Sequence, residues 1–173
     1  MARASIVLLN TGHGKGKTSA AMGVMARGWA RGWKVAVVQF IKGGKWKVGE
    51  KKLADHLGIE WHEVGDGFTW ESTDLDESAA LGRHGWEVAK AKLASGDYDL
   101  LIFDEVTYPM IFGWIDTAEV VEAIVGRAPR TNVVLTGRDA PEEIVAIADT
   151  VTEMRLVKHA YEQGINAMKG IEY

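Results

Sequence analysis

A turn rich in glycine and lysine follows the first apolar run of this chain and could bind phosphate. The apolar run covers residues 5–10, and the turn reads Thr11-Gly12-His13-Gly14-Lys15-Gly16-Lys17-Thr18. Between a strand and a helix, such glycines let backbone N–H groups point inward at phosphate oxygens. A lysine then reaches the outer phosphates, and a threonine hydroxyl can bind Mg²⁺. The pattern predicts a phosphate loop in which Lys17 and Thr18 have these two roles.

The loop departs from the strict phosphate-loop spacing at its first position, where Thr11 replaces glycine. The alternative interpretation is a glycine-rich turn that only joins a strand to a helix. Lysines packed into so short a segment repel one another unless an anion meets them. The following helix also directs its positive N-terminal end at the turn, and both points favour the phosphate loop.

Two acidic residues, Asp104 and Glu105, close a later apolar run at residues 100–103. They could simply begin a helix, because carboxylates are favoured at helix N-termini. In an open parallel sheet, however, ligands bind at the carboxyl ends of the strands, where this pair and Thr18 would meet. Together with the loop, the pair therefore predicts a Mg²⁺ site.

Further candidate residues carry positive charge or aromatic rings. Arg27 in the first helix and Arg138 after a later strand could add charge near a triphosphate, with Arg138 the better placed. None of the five histidines has metal-ligand spacing, although His13 could touch phosphate. Phe68 and Trp70 lie in a glycine-containing loop. They either tuck that loop onto the core, which composition favours, or form a wall for a planar ligand.

Apolar runs alternate with helical patterns along the chain and predict the elements that position these residues. Strands are expected at 5–10, 34–40, 59–64, 99–105, 132–137 and 150–157, with loops at 41–48 and 65–76. Asp116 and Asp139 are expected to cap helices. The alternation predicts a single α/β domain over residues 1–173, with a mainly parallel sheet and helices on both faces.

Composition excludes several classes of function. The chain has 173 residues, 47% of them hydrophobic and 25% charged, and a net charge of −4, which argues against general nucleic-acid binding. It has no cysteine, so disulfides, thiolate metal sites and cysteine nucleophiles are excluded. No apolar run reaches membrane-spanning length and no signal peptide is evident, so a cytoplasmic location is expected.

Read in order, the motifs resemble those of the phosphate-loop ATP:corrinoid adenosyltransferases. This resemblance implies that the chain has a RecA-like P-loop NTPase fold. The resemblance covers essentially the whole chain and rests on the loop and on four further segments: Val37-Val38-Gln39-Phe40-Ile41-Lys42-Gly43, Gly67-Phe68-Thr69-Trp70, Asp104-Glu105-Val106-Thr107-Tyr108, and residues 157–173. It implies that cobalt(I) of a reduced corrinoid attacks the 5′ carbon of ATP and releases triphosphate. The loop would then stabilise a leaving group rather than a transferred phosphoryl group.

The same resemblance implies roles for individual residues. Thr18 and Glu105 match Mg²⁺ ligands, with Asp104 in support, and Lys17 matches a catalytic cation. Phe68 and Trp70 match catalytic aromatics that cover the lower face of the corrin ring, exclude its axial ligand and ease reduction of cobalt(II). The residues that match the binding site for ATP are Gly12, His13, Gly14, Lys15, Gly16, Lys17, Thr18, Ser19, Arg27 and Arg138.

The resemblance also implies a homodimer, with a flavoprotein as a candidate reductant, and no nucleic-acid or membrane partner. His13 stands where relatives often have asparagine. Many relatives carry an N-terminal helical extension, whereas strand 1 is expected to begin near residue 5 here. A more open corrinoid site, or one covered by a partner subunit, is therefore expected. Two other functions remain as alternatives: a generic phosphate-loop kinase or ATPase, and a non-catalytic nucleotide-binding regulator.

Overall fold

The computed structural model describes residues 5–41, 49–65 and 75–172, which form a parallel sheet with helices on both faces. The sheet has the order β3-β2-β4-β5-β1-β6, and every neighbouring pair is parallel. The strands are β1 (Val7–Thr11), β2 (Val35–Phe40), β3 (Glu60–Val64), β4 (Leu100–Asp104), β5 (Asn132–Thr136) and β6 (Thr150–Glu153). This is the P-loop NTPase-like architecture that the sequence predicts.

Helices connect these strands and cover the sheet. They are α1 (Lys17–Ala30), α2 (Gly49–Leu57), α3 (Leu75–Ser95), α4 (Thr107–Ile111), α5 (Thr117–Val125) and α6 (Glu142–Ile147), followed by a 3₁₀ turn at Ala160–Gln163. No helix within the described residues is long and apolar enough to cross a lipid bilayer.

Alternate residues of the central strands pack into two separate apolar cores. Val35 and Val37 face α1 and α2, whereas Ala36 and Val38 face α3 and the later helices. Side chains on a strand alternate between its two faces, so a strand covered on both sides needs apolar residues at nearly every position. The fully buried run of β2 meets this need, which is why its continuous apolar run predicted this strand correctly.

The two helix caps expected from aspartates have different outcomes. Asp116 caps α5 as predicted, because its carboxylate accepts a hydrogen bond from the Ala118 N–H at 2.9 Å. The expectation for Asp139 is wrong, since α6 begins at Glu142 after Pro141. Asp139 adopts a positive φ of 47° and pairs with His13 at 2.9 Å instead.

Candidate nucleotide site at the carboxyl edge of the sheet

The carboxyl ends of β1, β5 and β4 lie side by side and bring the candidate residues together. β5 lies between the other two strands and pairs with both. The loop that follows β1 and the acidic pair that ends β4 therefore face one another across the end of β5. Ligands bind at this edge in open parallel sheets.

Residues 12–16 form a tight loop that is seated on the end of β6. The Gly14 N–H donates to the Met154 carbonyl at 2.6 Å. A Cβ atom at Gly12 or Gly14 would lie 2.6 Å from that same oxygen, and Gly12 also has a φ of +89°. Both positions therefore require glycine. Thr11, in contrast, is the last residue of β1 and pairs with Glu153, so glycine is not needed there.

Lys17 is buried beneath this loop. Its ammonium group donates to the carbonyl oxygens of Gly12 and Gly14 at 2.8 and 2.7 Å, and the residue is only 7% exposed. These bonds hold the positive charge inside the loop, at the N-terminal end of α1. The arrangement suits a group with high negative charge, because ammonium, backbone amides and helix end then act on it together.

Asp104 meets the hydroxyl of Thr18 at the same edge. The Thr18 hydroxyl donates to Asp104 Oδ1 at 2.9 Å, although the two residues are 86 positions apart in the sequence. Asp104 is fully buried and accepts two further bonds, from the Gln39 amide at 2.9 Å and from the Thr136 hydroxyl at 2.6 Å. The meeting of Thr18 with the end of β4 agrees with the sequence argument.

Glu105, the second acidic residue, follows β4 directly in an unusual conformation. Its φ is +59°, a region that residues other than glycine rarely adopt. Its backbone N–H donates to the Thr136 hydroxyl at 2.9 Å. Its negative charge also acts on the neighbouring Tyr108. The pKa of Tyr108 is raised by burial first and by Glu105 second, while the nearby Arg138 opposes the shift.

The donor atoms at this edge fit a magnesium ion that is held jointly with phosphates. Thr18, Asp104 and Glu105 offer hard oxygen atoms, the type that Mg²⁺ prefers. The buried side-chain oxygen of Gln39 has no hydrogen-bond partner within the described residues and could accept from a water carried by the ion. No cluster of three metal-ligating side chains occurs in the described part of the chain. Mg²⁺ typically uses one or two carboxylates and completes its shell with waters and phosphates.

The remaining predicted phosphate contacts are placed unequally. His13 and Lys15 are exposed on the loop, where His13 pairs with Asp139 and Lys15 with Glu172. Ser19 is exposed in the first turn of α1. Arg138 is exposed just after β5, at the correct edge. Arg27 lies nine residues beyond Thr18 in the last turn of α1, about 14 Å along the helix axis.

Arg27 is therefore not brought to the loop within one copy of the chain, and its contact with phosphate stays a prediction. Phe68 and Trp70 lie outside the described residues, so their proposed role also stays a prediction.

The sequence alone did not predict a role for Thr136 or Gln39 beside the acidic pair. The signal for Gln39 was a single polar residue in an otherwise apolar strand, and for Thr136 it was a hydroxyl residue at a strand's carboxyl end.

Comparison with known proteins identifies the family of this chain. A family model described as ATP:corrinoid adenosyltransferase BtuR/CobO/CobP matches residues 3–173. The chain belongs to this family. A corrinoid adenosyltransferase of Escherichia coli K12 is 41% identical to it over 168 residues, which cover 97% of this chain and 85% of the relative.

Two further corrinoid adenosyltransferases are similar to this chain over nearly its whole length. The corrinoid adenosyltransferase CobA of Salmonella typhimurium LT2 is 40% identical over 168 residues, which are 97% of this chain and 85% of the relative. The corrinoid adenosyltransferase of Pseudomonas aeruginosa PAO1 is 41% identical over 170 residues, which are 97% of this chain and 83% of the relative. These matches favour the adenosyltransferase prediction over a generic kinase.

Proposed function

We propose that this enzyme transfers the 5′-adenosyl group of ATP to a reduced corrinoid. The electron pair of cobalt(I) forms the new cobalt–carbon bond. The bond between C5′ and its oxygen breaks, and triphosphate leaves with the electron pair of that broken bond. The observation that carries the proposal is the family match across residues 3–173, which includes a loop with a buried lysine beneath it. Because charge grows on the triphosphate as it departs, fixed positive groups at the loop stabilise the transition state more than the bound substrate.

An anaerobic reaction with ATP and chemically reduced corrinoid tests this activity. We expect the absorbance of the cobalt–carbon bond to appear and phosphorus NMR to show one triphosphate for each corrinoid alkylated. A matched reaction without corrinoid should release no triphosphate. ADP or orthophosphate without alkylated corrin would instead indicate a kinase or an ATPase. Tight ATP binding with no turnover would indicate a nucleotide-binding regulator.

The side chains at the carboxyl edge support a division of roles. Lys17 holds positive charge under the loop. The amides of residues 12–16 other than the Gly14 N–H, which donates to Met154, orient the phosphates together with the N-terminus of α1. Thr18 and Glu105 would hold Mg²⁺, with Asp104 bonded to the Thr18 hydroxyl. When bound, Mg²⁺ would neutralise part of the phosphate charge. Lys15, His13, Ser19 and Arg138 would contribute from the exposed side of the loop.

Arg27 would reach a phosphate only from a second copy of the chain, given its position in the last turn of α1. The homodimer implied by the family resemblance could provide that copy, and a flavoprotein remains the candidate reductant. We also expect the enzyme to work in the cytoplasm.

Phe68 and Trp70 are proposed to cover the lower face of the corrin ring. We expect Phe68→Ala and Trp70→Ala to retain ATP affinity and to adenosylate supplied cobalt(I) corrinoid. Both variants should fail when the reaction starts from cobalt(II) and a weak reductant, because the axial ligand is then not excluded. Trp29→Ala is the matched control, since Trp29 is 45% exposed on the last turn of α1. Wild-type rates from cobalt(II) in both loop variants would contradict the role.

A further inference from the structure

Thr136 connects the two acidic residues of the site through a single hydroxyl group. The residue ends β5, the strand between the loop strand and the acidic strand, and is fully buried. Its hydroxyl donates to Asp104 Oδ1 at 2.6 Å and accepts from the Glu105 N–H at 2.9 Å. Asp104 and Glu105 are thus fixed relative to one another by a third residue, 31 or 32 positions away in the sequence.

We propose that Thr136 is a positioning residue for the metal-binding edge: it sets the orientation of the Asp104 carboxylate and holds Glu105 in its left-handed backbone conformation. The inference deepens the proposed function and rests on the Mg²⁺ site assigned there. Thr136 touches neither substrate in this scheme and acts only through its two acidic neighbours.

The hydrogen bonds of Asp104 explain why its orientation matters. An ionised carboxylate has about four lone-pair sites for hydrogen bonds. Three are used by the Thr18 hydroxyl, the Thr136 hydroxyl and the Gln39 amide. One site remains for a cation or a water bound to it. Because the Thr18 hydroxyl donates its hydrogen bond to Asp104, the lone pairs of the Thr18 oxygen remain available to the same cation.

The backbone of Glu105 gives Thr136 its second effect. A glutamate at a φ of +59° has a strained backbone and persists in this conformation only when its surroundings hold it there. The bond from the Glu105 N–H to Thr136 is one such restraint. Without this hydrogen bond, the Glu105 backbone would be less restrained in this conformation. The Glu105 side chain would then point in a different direction.

Thr136→Val is the direct test, because valine has the shape of threonine without the hydroxyl. Manganese replaces magnesium as the probe, and its EPR signal measures free and bound ion with and without ATP. We expect about 10-fold weaker ATP-dependent Mn²⁺ binding, the lower end of the range for residues that orient metal ligands. ATP affinity without metal should stay within twofold, and Thr136→Ser should keep wild-type Mn²⁺ affinity because serine retains the hydroxyl.

Thr131→Val is the matched control. Thr131 is also fully buried, directly precedes the same strand, and donates its hydroxyl to the Tyr98 carbonyl at 2.9 Å. It lies at the opposite end of β5, so this variant should lose stability without any change in Mn²⁺ binding. Should Thr136→Val fail to fold, Thr136→Ala removes the same hydroxyl with a smaller side chain, and about 10-fold weaker ATP-dependent Mn²⁺ binding is again expected.

The outcomes separate the positioning role from the proposed function. If the wild type shows no ATP-dependent Mn²⁺ binding, the metal site itself is wrong. If the wild type binds Mn²⁺ but folded Thr136→Val binds it equally well, only the positioning role of Thr136 is overturned. Equal weakening by Thr131→Val would also overturn it, since the effect would then follow from lost stability. Unchanged Mn²⁺ affinity in folded Thr136→Ala would overturn the positioning role in the same way.

Discussion

Each edge of the sheet holds a carboxylate by hydrogen bonds, but only the carboxylate at the amino edge has a cation among its described donors. At the carboxyl edge, the donors to buried Asp104 within the described residues are two hydroxyls and an amide, all uncharged. At the amino edge, Glu60 is bonded to the ammonium of Lys92 at 2.6 Å, to the Tyr98 phenol at 2.5 Å and to the His62 ring at 2.7 Å.

The pKa of Glu60 reflects the donors around it. Burial alone would raise this pKa, but the hydrogen bonds from Lys92, Tyr98 and His62 outweigh burial and lower it to about 2. The Lys92 ammonium also lies 4.8 Å from the centroid of the Tyr98 ring. The cluster ties the start of β3 to the end of α3 and to the turn before β4, and its charges are balanced locally.

This contrast indicates what each carboxylate is for. Glu60 is matched by a cation from its own chain, so it stabilises the fold and attracts no further positive charge. Asp104 is oriented by neutral donors, which leaves its negative charge without a cation among the described residues, as the proposed Mg²⁺ site requires. A buried carboxylate of this kind costs stability unless it is well bonded, and such costs are typical of functional sites.

The largest effect is expected from Lys17→Met, which removes the buried cation of the carboxyl edge. The rate of adenosylcorrinoid formation should fall about 100-fold or more, because a fixed group that stabilises growing negative charge is lost. Single-turnover assays measure the rate, and urea unfolding measures stability.

Lys92→Met is the control for this variant at the amino edge. It should retain the wild-type rate and lose stability, because it leaves Glu60 without its ammonium partner. Comparable loss of rate in both variants would contradict the separation of the two edges.

A smaller effect is expected from Glu60→Gln, which tests the amino edge through pH. The folded pKa of Glu60 is lowered, so its contribution is fully present above the unfolded value of about 4.5 and is lost as the pH falls towards about 2. The side chain is 41% exposed, so solvent screening limits this contribution to about 1 kcal/mol at pH 7.

Urea unfolding of wild type and Glu60→Gln between pH 7 and about pH 2 measures this difference. The two stability curves should converge at the acidic end, while the adenosylation rate at pH 7 stays unchanged. A stability gap that is constant over the whole range would show that Glu60 acts through packing rather than charge.

The smallest effect is expected from Asp116→Ala. This variant removes a carboxylate near the carboxyl edge that has no role in the proposed metal site. Asp116 is exposed and bonds only the N-terminus of α5 among the contacts described. Loss of this exposed cap should cost about 0.5 kcal/mol of unfolding free energy, the lower end of the range for N-caps. ATP-dependent Mn²⁺ binding should be unchanged, and a weakened metal site in this variant would show that carboxylates near this edge act together.

The sequence could predict most of this fold because buried strands have an apolar residue at almost every position, as β2 does. It could also place Thr18 near Asp104, because parallel strands present their carboxyl ends at one edge. It could not predict that β5 separates β1 from β4, since strand order depends on contacts between distant segments. For that reason the role of Thr136 was missed. Asp139 was assigned to a helix cap because local sequence does not reveal its pairing with His13.

The hydrogen bond between the phosphate loop and Met154 has a consequence for synthesis of the chain. The loop sequence emerges early from the ribosome, yet the carbonyl that accepts from Gly14 belongs to the end of the last strand. At roughly 5–20 residues per second, several seconds pass before that strand is made and can pair with β1. A nascent chain therefore carries its entire glycine-lysine loop long before that loop has its native support, and nucleotide affinity should be acquired late in translation.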